Sequence, residues 1–160
     1  MAADKPVTYA APAETDEIAR NVMTWLSAGL VAVAPEVVAT LDNPKIMPEP
    51  MLEQERPGMI LTVIQGNITR PYIYGGYQAV FQFGIIYRIH PSQTSANARL
   101  QAIETLNRLG DYAVSSKPDL GDGVSPVKCE VTSQGAMFAV YENGDEDYQI
   151  LMKLTYEVID

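Results

Sequence analysis

Tyr77-Gln-Ala-Val-Phe-Gln-Phe-Gly-Ile-Ile-Tyr-Arg-Ile89 decides the fold. Tyr77, Ala79, Phe81, Phe83, Ile85, Tyr87 and Ile89 alternate with Gln78, Val80, Gln82, Gly84, Ile86 and Arg88. A period of two puts all seven residues of the first set on one side of an extended chain, so the spacing predicts a long strand with one wholly apolar face. A second alternation closes the chain, with Tyr148, Ile150, Met152, Leu154, Tyr156 and Val158 on one side and Gln149, Lys153, Thr155 and Glu157 among those on the other. Between them, Val127–Thr132 and Ala136–Tyr141 read as two shorter strands, and Asn143-Gly144 marks a hairpin turn into the last one. Upstream, Gly58–Gln65 is β-branched and apolar and is closed by Gly66-Asn67, and Arg70–Gly76 reads as a turn or short edge segment.

Helical periodicity brackets these strands. After Thr15, a candidate N-cap, Asp16 and Glu17 sit where a helix dipole favours negative charge. Ile18, Val22, Trp25, Leu26, Gly29, Leu30 and Val33 then form one stripe, in which Gly29 invites the close approach of another backbone. Ala96–Val114 repeats the pattern, with Leu100, Ile103, Leu106 and Leu109 expected inward. Helix, strands, helix, strands predicts an α+β fold: a largely antiparallel sheet with two helices packed on one face, plus a long Pro-rich arm. The expected organisation is an N-terminal arm over 1–14 and one domain over 15–160, carrying an extended loop at 35–57. No sequence repeat is evident.

The loop has five prolines, Pro35, Pro44, Pro48, Pro50 and Pro57, which oppose both helix and central strand. Its apolar residues Ile46, Met47, Met51 and Leu52 are costly to leave in water, so they are candidate anchors on a neighbouring surface. Arg70, Tyr72 and Tyr74 form a second candidate contact patch, because aromatics and Arg are enriched where interfaces bind most tightly. The alternative is a hairpin whose tyrosines lie on its own sheet.

Chemistry is scarce. The 160 residues are 47% hydrophobic and 19% charged, enough for a real core, with a formal net charge of −9. That sign argues against a reader of the nucleic-acid backbone and against an anionic membrane surface. One His and one Cys leave neither a disulfide framework nor a zinc site of His and Cys. Cys129 lies on the apolar side of a strand and reads as a core thiol, and His90 reads as a surface residue at a strand end. Gly121-Asp122-Gly123 is too short for a phosphate cradle, and Asp145-Glu146-Asp147 lacks the spacing of a calcium loop. Residues 1–13 carry no signal-peptide pattern, and no apolar stretch reaches membrane-spanning length. The expectation is a soluble protein of a reducing compartment, with no catalytic residue, cofactor or metal.

The helix TDEIARNVMTWLSAGL, the strands GMILTVIQ and YQAVFQFGIIYRIH, the helix ANARLQAIETLNRL and the closing YQILMKLTYEVID together resemble, in order and character, the tail terminator or tail-completion proteins of tailed phages, sometimes called minor capsid proteins. The resemblance spans most of residues 15–160 and rests on no single motif; residues 35–57 are longer and richer in proline than the family pattern. It implies a virion protein of the tail or neck, made in the host cytoplasm, that forms a homo-oligomeric and usually hexameric ring. Such a ring stops the tail tube and joins it to the head-side connector, so its partners are the tail-tube protein and the connector protein. DNA would pass the lumen without specific binding, which suits an acidic wall. Two other classes stand beside this one: another neck or tail part, such as a head–tail stopper or tail-tube protein, and a small ligand-binding α+β domain.

Overall fold

The computed structural model describes residues 15–49, 57–90 and 96–159. The expected arm at 1–14 lies outside them. The first helix, α1, spans Thr15–Val33, so Thr15 is its first described helical residue rather than a cap outside it. Ile18, Ala19, Val22, Trp25, Leu26, Gly29 and Leu30 make its buried face, as the stripe predicts. Pro35 ends this helix but also starts another. Its fixed φ and missing N–H suit the first turn, and a one-turn α2 covers Pro35–Val38.

Five strands follow: β1 Met47–Pro48, β2 Gly58–Pro71, β3 Tyr77–Ile89, then after helix α3 (Ala96–Ser115) β4 Val124–Val140 and β5 Glu146–Val158. They form one sheet in the order β1-β2-β3-β5-β4, antiparallel except for the short β1–β2 pair. The central β3–β5 ladder runs from Tyr77 opposite Val158 to Ile89 opposite Glu146 without a register shift. Phe81, Phe83, Ile85, Ile150, Met152, Leu154 and Tyr156 are buried from it into a core completed by α1 and α3. The α+β class, the mainly antiparallel sheet and the single helical layer are thus as the alternations predict.

Four details differ. Leu100, expected inward, is 66% exposed, whereas Leu106 and Leu109 are buried as expected and are joined by Ala102, Thr105 and Ala113. Gly29 receives a side chain rather than a backbone, since a Cβ there would lie 2.3 Å from the Tyr112 ring. That ring also leans on Trp25, with centroids 6.1 Å apart, and Trp25 Nε1–H donates to Ser116 Oγ at 2.9 Å. The strand expected to end at Gln65 continues as β2 to Pro71. The two strands expected at 127–132 and 136–141 are one strand, β4, whose bulges fall between Val131 and Ala136, among other places.

The segment after Pro35 packs in part. Val37, Leu41 and Ile46 are buried in the core, so prolines at its two ends did not keep the segment between them out of the fold. Although the sequence shows no repeat, the elements do: helix, strand, strand occurs as α1-β2-β3 and again as α3-β4-β5. With β3 and β5 antiparallel at the centre, the two units run in the same order outward from that ladder, β2 beyond β3 and β4 beyond β5.

Candidate interaction surfaces

The β2–β3 turn is tied by Tyr72 N–H donating to Gly76 O at 3.1 Å and Gly75 N–H donating to Tyr72 O at 3.3 Å. Tyr72 and Tyr74 stack, with centroids 5.5 Å apart and planes 15° apart. The Tyr72 hydroxyl donates to Glu157 Oε2 at 2.9 Å, and that bond raises its pKa by favouring the protonated phenol. Tyr72 is fastened to its own sheet, as the alternative reading has it, whereas Tyr74 is 83% exposed. Between them Ile73 projects fully, at 105%. One isoleucine in a tyrosine run carries no periodicity, so nothing in the sequence singles out Ile73. Arg70, exposed near the end of β2, sits at the base of this tip.

Ile46 is corrected as an anchor for a neighbour. It is only 3% exposed inside its own chain's core, and its N–H donates to Ser27 Oγ at 3.0 Å. Met47 is 38% exposed. Met51 and Leu52 lie outside the described residues. What residues 44–48 do build, against one side of α1, is an apolar groove of about 590 Å³, lined by Met23, Ala28, Val31, Pro44 and Met47 among others, with Arg20 and Lys45 beside them.

Among the described residues, neither outer edge of the sheet is paired over much of its length. Beyond the β1 pairing at Ile60 and Leu61, β2 presents its outer edge with Val63 and Ile64 half exposed. At the far side β4 carries exposed Met137, Phe138 and Val140. Exposed apolar edge strands are templates for pairing with another chain.

At the end of the sheet opposite the tyrosine tip, each residue of the acidic run has its own side-chain partner. Asp147 receives a bidentate pair from Arg88, Nε to Oδ1 at 2.7 Å and Nη2 to Oδ2 at 2.9 Å. Tyr141 donates to the same carboxylate at 2.7 Å and lies under the guanidinium, 4.7 Å from its ring centroid. On the helical side Glu146 accepts from Arg99 Nε at 3.0 Å, Arg99 Nη2 at 2.6 Å and the Tyr148 hydroxyl at 2.9 Å. Burial, then this carboxylate, push Tyr148 up to about 12. Asp145 Oδ1 lies 2.6 Å from His90 Nδ1. These bonds fasten the β4–β5 turn to β3 and α3. Among the described residues no group of three or more His, Cys, Asp or Glu gathers to hold a metal.

Cys129 is 5% exposed and opposite Leu154, whereas His90 follows Ile89, which is opposite Glu146. Eight residues of β5 separate those levels, about 26 Å, so the two do not form a dyad. Burial pushes the Cys129 thiol up to about 12, the reverse of an activated nucleophile.

No family model and no curated protein matches the chain. Among solved structures, a chain from the virion of native gene transfer agent (GTA) particle shares the fold, with a TM-score of 0.54 at 16% identity over 88% of this chain and 97% of that one. A second solved chain aligns over 93% of this one at 18% identity, with a TM-score of 0.42. The arrangement of two helices over this antiparallel sheet is therefore one that a virion chain of nearly the same extent also adopts.

Proposed function

We propose that this protein is a structural component of a phage-like particle. It acts as a homo-oligomeric ring, hexameric as the sequence resemblance implies, that terminates the tail tube and joins it to the head-side connector. The observation that carries the reading is the likeness of fold, over nearly the whole of both chains, to a chain of a gene transfer agent virion. Sheet edges largely unpaired among the described residues and an exposed apolar tip support it, since such surfaces suit pairing with another chain. The net charge of −9 suits a wall that DNA slides past without being held. The ring belongs to the tail or neck of the virion and is assembled in the host cytoplasm.

Electron microscopy of particles made without this protein tests the assignment. Heads lacking tails, beside overlong or unjoined tubes, are the expected result. Particles with a tube of normal length that is joined to the head would overturn it. Complete loss of tubes would instead favour a tail-tube protein, and leakage of DNA from heads a stopper. Mass photometry of the purified chain tests the ring itself: a single closed assembly is expected, and a monomer at all concentrations rules it out.

A further inference from the structure

The tip and the groove are complementary and cannot meet within one molecule. The groove lies beside the start of β2, because Met47 and Pro48 pair with Ile60 and Leu61. The tip follows Pro71 at the other end of the same strand. Leu61 is opposite Ile85 and Pro71 opposite Tyr77, levels about 26 Å apart along β3, and β3 holds that far end against Val158. Neither end can swing to the other while the ladder is intact.

We propose that the Tyr72–Gly76 tip of one copy seats Ile73 and Tyr74 in the groove between α1 and residues 44–48 of the next copy. This rests on the ring reading above and names the contact that would build it. A projection on one surface filling a recess on another is a heterologous contact, the kind that closes into a ring when the rotation between copies returns to its start. A groove of about 590 Å³ is of the size that receives one or two large side chains, and its lining is mainly apolar. Charge favours the same pairing: Arg20 and Lys45 border the groove, while Glu157 is bonded to Tyr72 at the tip. Arg70 at the tip's base carries the opposite sign, so the apolar contact rather than the rim holds the joint.

The test uses the full chain with single cysteines. Ile73→Cys and Val31→Cys both alter exposed residues, and the native Cys129 is buried. With a short bismaleimide, the mixture of the two variants should give covalent dimers, whereas each alone should give none. Ile73→Asp should raise the concentration needed for assembly at least about tenfold, with an unchanged circular dichroism spectrum. Rings that form normally with no mixed cross-link would overturn the tip-in-groove contact and leave the ring reading standing. Cross-linking of Ile73→Cys to itself would replace it with a tip-to-tip contact. Cross-linking of Val31→Cys to Met51→Cys within one chain would give the groove to that chain's own loop. A wild-type chain that never assembles would remove both readings.

Discussion

At Phe83, fully buried beside Phe81 with centroids 5.3 Å apart, truncation to Ala removes a ring from a region with nothing to refill it. Phe83→Ala is expected to cost about 3–5 kcal/mol in a urea series. Gln82→Ala, one residue away on the other face and half-buried, should cost under about 0.5 kcal/mol. Equal losses would mean that the faces are misassigned. Cys129 makes a pH-dependent prediction. Its folded pKa, about 12, stands above the unfolded value of about 8.5, so the folded state holds the proton longer. Its contribution is therefore complete below about pH 8.5 and is lost as pH rises towards 12. Cys129→Ala should flatten the fall of the urea midpoint across that window, and an unchanged slope would count against a desolvated thiol. Leu100 shows why residue-level reading fails where it does. Spacing gives a helix its period but not its phase when small residues such as Ala102 and Ala113 share the buried face.

At the scale of elements, alternation located β3 and β5 because each has a polar register to contrast with its apolar one. It shortened β2 and divided β4 because bulges, at Val63/Gln65 and between Val131 and Ala136, interrupt the period of two. The tyrosine turn was legible as a patch, but its projection was not, since exposure depends on how far β2 carries it. Gly76 sets that turn with φ +76°, and a Cβ there would lie 2.2 Å from Val158 O. Gly76→Ala should therefore cost more than the roughly 1–2 kcal/mol of a left-handed residue alone, read as a lowered melting temperature. A cost below that range would mean that the end of β5 yields easily. The loop after Pro35 makes a contrasting prediction. Prolines flagged the segment as an arm, but pattern alone does not tell whether one isoleucine within it turns inward. Ile46→Ala should behave as a core truncation, losing about 2–5 kcal/mol in chemical denaturation. Little change in stability, with loss of assembly only, would return Ile46 to the surface.

At the scale of the whole molecule, the two helix–strand–strand units share one core and are expected to fold together. Each unit has a local hairpin, yet its helix closes over a core shared across the β3–β5 ladder. Polypeptides 1–93 and 94–160 should each lack cooperative unfolding alone and regain it when mixed, followed by circular dichroism. Independent folding of either would show that the core is not shared as described. Such a relation is invisible to sequence comparison between the halves because it needs only two apolar faces of matching period, which many different residues supply.

The antiparallel β3–β5 ladder also sends the two turns to opposite ends of the sheet, and they are chemically unlike. One end carries Ile73 and stacked tyrosines; the other carries Asp145 and its neighbouring acids, held by His90, Arg99 and Arg88. The order of elements repeats while the two ends differ in chemistry, so the molecule has a direction. Copies that follow one another head to tail, as a tip seated in a groove requires, repeat that direction at every joint.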